Sequence, residues 1–520
     1  MKNIKVIIFL FVVMTLTLSP FLSATAEASS KKPTKGGILK RCYDTDAHQL
    51  GDPVARPMAN FCFKAALPAI ETLLRYDKTG KVVPWLAKDW KIAGDQKSIT
   101  LTLQNGVKFH DGTDFNAEAI KWNLDRYRTS NNRELKGITS IDVMDDNNVR
   151  LNLSRWNNTM LGALATIPGM MISPSAYKTH GGKWCETHPI GTGPFKFVSW
   201  KRDVNIIYKK NENYWQKGKP YLDGIEFSII TDTMTRLMAF RTGEVDELAN
   251  VEPKDVAGLK AEGKYYFSIC ELSSLAYCLL GDSAHKDSPF SDIRVRRAIE
   301  YAVDKQALAD TFSHGYGKIS NQFAPPGGWG NNPDVKGYPY NPDKAKQLLA
   351  EAGYPNGFKT KIIALIMGFY AHPPTAIQGY LKKVGINAQI EVIPPPRYET
   401  YYRGTWKKSI LVHPGSMTNP DTARNLMYGF SSKSLVVGSN TVICPDDLDK
   451  AINKALVAVD LKDKQKWTWE AQKLLVDKYA IAQYFYTYPR ITGFYNRVHD
   501  TGIGVTVDTQ WTPENAWVEK

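Results

Sequence analysis

"ITLTLQNGVKFHDGTDFNAEAIKWNLDRY", residues 99–127, contains the change of period that decides the architecture around it. Ile99, Leu101 and Leu103 alternate with Thr100, Thr102 and Gln104, the period of two that a half-buried strand requires. Asn105-Gly106 interrupts, then Val107 and Phe109 resume, which predicts a β-hairpin whose second strand ends at His110-Asp111-Gly112. Asn116 predicts a helix cap, and Ile120, Leu124 and Tyr127 follow on one helical face. A strand therefore gives way to a helix where an imidazole stands beside a carboxylate. No G-x-S-x-G elbow accompanies that pair, so the reading is a turn and not half of a catalytic apparatus.

The same alternation continues outward. "YLDGIEFSII" predicts a strand with Ile225, Phe227 and Ile229 on one face, and Thr233 predicts the cap of a helix that Gly243 terminates. Residues 294–312 carry Val295, Ala298, Ile299, Ala302 and Val303 at helical spacing. "NPDKAKQLLAEAG" has Asn341 as cap, Pro342 in the first turn and Gly353 at the stop. Two more helices are predicted in "DDLDKAINKALVAV" and "KQKWTWEAQKLLVDKY". Strands alternating with helices predict an α/β architecture in more than one lobe. The chain has no internal repeat of the length that marks a solenoid.

With 520 residues, 43% hydrophobic and 23% charged, the chain can bury a large core in two or three domains, which excludes disorder. Residues 1–28 read as a secretory signal: Lys2 and Lys5, an apolar run over 6–18, then small residues with cleavage expected after Ala26 or Ala28. No cysteine follows that run before Cys42, so a soluble exported protein is expected, not a lipid-anchored one. The formal charge of +14 is scattered, which argues for a solvated surface and against nucleic acid as a partner. Six cysteines allow up to three disulfides in an exported chain. Cys185-Glu-Thr-His188 is a lone C-x-x-H, too little for zinc. Gly191-Thr-Gly193 lacks the third glycine and the lysine of a phosphate loop and reads as a turn. Trp329, Trp406 and Tyr428, with Tyr398, Tyr401 and Tyr402, stand in loop-like regions and are candidates to line a ligand cleft.

Six stretches together carry a resemblance: "VVPWLAKDWKI", then "TLTLQNGVKFHDGTDFNAEAI", "IGTGPFKF", "TRLMAFRTGEVD", "SDIRVRRAIEYAVDKQAL" and "NPDKAKQLLAEAGYPNG". In order and spacing, over residues 36–500, they resemble the large periplasmic solute-binding proteins of the peptide/nickel ABC-importer family, the dipeptide- and oligopeptide-binding-like family 5. The resemblance implies a class II binding protein with two lobes joined by two crossing strands, near residues 279–282 and 486–495. Lobe I would comprise residues 36–75, 195–281 and 496–520, with an inserted subdomain at 76–194; lobe II would comprise 282–495. The "HDG" turn falls in that insertion, away from the cleft. Such a receptor closes over its ligand and presents the closed form to a membrane permease, as a monomer without catalysis or cofactor.

The resemblance also bears on the ligand. Peptide-binding relatives hold an α-amino group with an acid in a "G-W-x-x-D-x-x-D-P" loop; here residues 412–420 read "VHPGSMTNP", with Ser416 and Asn419 at the two acid positions. A buried ammonium without a counter-charge costs several kcal/mol. The expected solute is therefore peptide-like or another small organic molecule, with His413, Ser416 and Asn419, beside Asp421, suited to a neutral or anionic group. Asp44, Asp46 and His48, in the loop after the first strand, are further candidates. Nickel or another metal complex is an alternative ligand through His413, and a secreted hydrolase using dispersed carboxylates or His110 is the rival of another class. A surface adhesion or chaperone-like protein on the same fold is the remaining rival.

Overall fold

In a computed structural model of the chain, the period-two segments become strands of a ten-stranded and a four-stranded sheet, with the second and third strands paired only with each other. In chain order they are β1 (Ile38–Tyr43), β2 (Leu74–Tyr76), β3 (Val82–Pro84), β4 (Ala87–Ile92), β5 (Ser98–Leu103), β6 (Ile138–Asp145), β7 (Asn148–Leu153), β8 (Phe195–Lys201), β9 (Asn205–Lys210), β10 (Gly224–Ile229), β11 (Glu247–Leu248), β12 (Tyr265–Gly281), β13 (Phe358–Leu365), β14 (Ile386–Ile393), β15 (Ile410–Ser416) and β16 (Ala482–Tyr495). The structure describes residues 31–55, 58–130, 134–366, 372–402, 406–416, 419–434, 441–505 and 510–520, without the side chains of Asn60, Ser273 and residues 414–416. The segment 1–28, expected to be a secretory signal, lies outside the described residues. The chain divides into two units, Met1–Pro33 and Thr34–Lys520, and the fold below is that of the second. Among the described residues no helix is long and apolar enough to cross a membrane.

Strand β5 alternates as its sequence dictates: Ile99, Leu101 and Leu103 are fully buried and their neighbours are not. Its partners differ from the expected hairpin. Antiparallel β4 and β7 fill both of its edges, giving a four-stranded sheet in the order β4-β5-β7-β6. Gly106, at φ 70°, carries the chain off the sheet instead of back along it. Residues after it close their own small loop, in which Phe109 N–H donates to Thr113 O and Phe115 N–H to Val107 O. The helix Ala117–Thr129 starts as expected, with the Asn116 side chain accepting from Ala119 N–H, and buries Ile120, Leu124 and Tyr127 against this sheet.

The second sheet has ten strands in the order β14-β13-β15-β12-β16-β11-β1-β10-β9-β8. Parallel pairs lie to either side, β13 with β14 and β15, and β1 with β10 and β11. Antiparallel β12 and β16 join the two halves, paired from Tyr265–Tyr495 at one end to Leu280–Ala482 at the other. The resemblance implied two crossing strands, the first near residues 279–282; β12 and β16 join the halves, with Leu275–Gly281 already paired to β15 of the second half. Their register breaks between Cys270 and Leu275, an interruption that bends the ladder at the passage between halves. Each half is covered on both faces, as parallel strands require. Phe227 and Tyr208 pack on one side of the first half, Phe240 and Val256 on the other. In the second half the corresponding clusters hold Leu411, Leu426 and Ile452, and Ile299, Ile362 and Tyr486.

Three local expectations change. Asp232, one residue before Thr233, caps the helix Thr233–Thr242 by accepting from Thr235 N–H, because its carboxylate reaches the third N–H; Gly243 ends the helix at φ 78° as expected. The helical run over 294–312 breaks at extended Val303, since Asp304 caps a second helix, Lys305–Ser313, after Ile293–Ala302. The six cysteines form no disulfide among the described residues, and every one except Cys444 is buried.

Candidate functional site

The carboxyl ends of parallel strands are where an open α/β sheet offers a crevice. Asp44 follows β1, Arg236 lies beyond β10, Glu252 beyond β11 and His372 beyond β13, and all four line one cavity of about 680 Å3. Leu275 of β12, Tyr488 and Arg490 of β16, and Phe312 and His314 at the end of Lys305–Ser313 complete its walls. Both halves of the sheet and both crossing strands therefore face the same space, whose volume suits a small organic molecule. Arg236 is held rigidly: its guanidinium donates to Ile230 O at 3.0 Å, Thr231 O at 2.9 Å and Thr233 Oγ1 at 3.2 Å. Lys254 pairs with Glu252 at 2.9 Å on the rim. Behind them, burial pushes the Cys42 thiol up to about 12, against the opposing effect of Arg236, so it is no nucleophile.

From this cavity a seam runs between the four-stranded sheet and the second half of the large sheet. Tyr76 Oη donates to Asn419 Oδ1 at 3.4 Å, and Trp329 Nε1 to Pro420 O at 3.0 Å. Leu272, Trp329, Asn419 and Asn425 line a small gap there. Farther along, Lys136, Arg155 and Lys433 converge on a cavity of about 320 Å3 with Met160, Met427 and Tyr428 in its walls. Beside it Glu134 is ion-paired with Arg424.

The expected site residues scatter along this geometry. Asp44 lines the large cavity, Trp329 and Asn419 the small gap, and Tyr428 the cationic cavity. His48 lies against Cys62 Sγ at 3.3 Å, and Asp46 accepts from Trp200 Nε1 at 3.0 Å. Trp406 is a core residue, 1% exposed, donating to Leu280 O. His413 is buried in β15 beside Tyr402, where loss of solvent lowers its imidazole to about 3. Asp421 caps the helix Thr422–Phe430 and pairs with Lys464 at 2.6 Å. The Ser416 side chain lies outside the described residues. Arg236, Glu252, His314, His372 and Arg490 were not singled out from sequence; the signal that finds the first two and His372 is position just past a strand.

His110 is a turn residue. Its Nε2 lies 2.9 Å from Gly193 O, and burial lowers the imidazole to about 4. Asp111 accepts from Thr113 N–H and Oγ1 and from Ser173 Oγ, which ties the turn to the segment before Gly191.

Comparison with known proteins decides the family. Residues 81–434 match the model described as bacterial extracellular solute-binding proteins, family 5 Middle. The chain belongs to the family 5 solute-binding proteins. Among family relatives, heme-binding protein A of Haemophilus influenzae is 29% identical over 493 residues, covering 87% of each chain. The glutathione-binding protein GsiB of Pectobacterium atrosepticum is 30% identical over 460 residues, 85% of this chain and 87% of its own. Of solved structures, the periplasmic binding protein DppA from Helicobacter pylori, in complex with the peptide STSA, superposes with a TM-score of 0.77 at 25% identity, covering 94% of this chain and 99% of its own. Family membership and these two-lobed neighbours leave the hydrolase rival without support.

Proposed function

We propose that the chain is the substrate-binding component of an ABC importer, working in the periplasm as a monomer that captures a small organic solute between its lobes and hands it to a membrane permease. The observation that carries this reading is the 680 Å3 cavity faced by both halves of the sheet and both crossing strands. A solute there touches both lobes at once, so it stabilises the closed form by contacts absent from the open one. We assign lobe I to residues 36–75, 195–281 and 496–520, its insertion to 76–194 and lobe II to 282–495. No bond is made or broken: the chain needs no cofactor, and its product is a closed complex.

The solute we infer is peptide-like and carries an anionic group. Cations outnumber carboxylates in both cavities, Arg236, Lys254 and Arg490 against Asp44 and Glu252 in the large one and Lys136, Arg155 and Lys433 against Glu134 in the smaller, while serine and asparagine replace the acids of the family loop that would hold a free ammonium. A peptide-like solute accords with a relative named for glutathione binding and a neighbour solved with the peptide STSA. Native mass spectrometry of protein purified without unfolding tests the reading. A retained organic acid, chemically unchanged after prolonged incubation, supports it; conversion of that molecule to a product contradicts it.

A further inference from the structure

We propose that Asn158 sets how firmly the lobes close, by capping a helix end that belongs to the other side of the seam. The inference rests on the receptor reading above. The helix Asp446–Val457 runs into extended Ala458, and the last four carbonyls of any helix have no partner within it. Here Asn158 supplies donors. Its Nδ2 donates to Ala455 O at 2.7 Å and Ala458 O at 2.9 Å, and its backbone N–H donates to Leu456 O at 2.9 Å. Trp156 Nε1 adds a longer contact to Ala458 O at 3.4 Å.

Donor and acceptors belong to different cores. Trp156 and Met160, which flank Asn158, pack with the four-stranded sheet; Ile452 and Leu456 pack with β12, β15 and β16. Asn158 stands at the start of its own short helix, Thr159–Leu164, yet its side chain makes no capping bond there; Asn157 Oδ1 accepts from Thr159 N–H instead. An asparagine in a capping position, 8% exposed, is thus committed entirely across the seam. When the lobes part, its amide and the three carbonyls return to water, so these bonds favour the closed state and leave each lobe's own folding untouched. Affinity for a solute that needs closure then scales with the closed fraction. Asn158 touches none of the residues that line the 680 Å3 cavity in the contacts above, which makes it a positioning residue acting at a distance.

The test uses the full chain freed of retained solute, with nitroxides at positions 95 and 382 introduced through keto-bearing residues that leave the native cysteines alone. Pulsed electron resonance reads the distance across the seam. Asn158→Ala is expected to raise the open-to-closed ratio about tenfold, since two side-chain bonds are lost. Asn158→Asp, which sets a carboxylate against carbonyl oxygens, is expected to raise it further, and both are expected to keep the wild-type thermal midpoint. Should the aspartate variant fail to fold, Asn158→Ser removes the same two bonds. A wild type that opens, with variants that open no further, overturns the assignment of Asn158 alone. A wild type with one fixed distance, with or without its retained solute, overturns both this assignment and the receptor reading.

Discussion

Glu134 and Arg424, 290 residues apart, form an ion pair across the seam between the four-stranded sheet and the helix Thr422–Phe430. Arg424 also lies over the Tyr428 ring at 4.7 Å, so its planar head is held on two sides. The pair ties the two sides of the seam beside the Tyr76–Asn419 contact.

A pair placed there resists opening. Glu134→Gln is expected to speed release of the retained solute at least about fivefold, roughly 1 kcal/mol or more for a largely shielded pair. Stopped-flow release at rising salt checks this: the wild-type rate should approach that of the variant at 1 M salt, where the attraction is screened.

Two buried imidazoles give the fold an acid limit. His110 is lowered to about 4 and His413 to about 3, each by loss of solvent, from an ordinary 6.5. The unfolded chain takes up protons below pH 6.5 that the folded chain refuses, so stability is complete above pH 6.5 and falls as the pH drops toward 4. For His110 alone the loss reaches about 3 kcal/mol. Thermal unfolding between pH 7.5 and 4.5 measures it, and His413→Phe is expected to flatten the profile.

Much of the fold was legible because local chemistry and packing agree. Ile99, Leu101 and Leu103 are buried where their alternation put them, Asn116 and Asn341 cap the helices they precede, and Gly243 ends the helix it follows. Pairing was less legible: nothing within residues 99–109 says that β5 prefers β4 and β7 to its own continuation, because the choice depends on strands up to 50 residues away. The cavity was harder still. Arg236 and His372 sit in ordinary helix starts, and what makes them neighbours is the ten-strand order, a long-range property. His413 and Trp406 show the converse, since residue types that suit a ligand serve equally in a core.

Asp421 is a cap before it is anything else. Its carboxylate accepts from Arg424 N–H and from Lys464 Nζ. Asp421→Ala is expected to cost at least about 1–2 kcal/mol, and Asp421→Asn, which keeps the capping oxygen but sets an amide NH2 against the Lys464 ammonium, to recover only the capping share. Chemical denaturation at pH 7 measures both.

Glu71 is a buried hub. It accepts from Trp85 Nε1 at 2.9 Å, Thr192 Oγ1 at 2.8 Å, Tyr214 Oη at 2.7 Å and Trp215 Nε1 at 3.0 Å. Glu71→Gln turns one acceptor into a donor facing donors, an expected loss of about 2–4 kcal/mol. The near-ultraviolet signal of Trp85 and Trp215 should weaken with it.

The most direct test of two lobes closing over an unaltered guest is small-angle scattering on the chain stripped of solute and then resupplied with the molecule that native mass spectrometry identifies. A smaller radius of gyration on resupply, reversed when the solute is removed and with the solute recovered intact, is the predicted result. An unchanged radius at saturation would contradict the account.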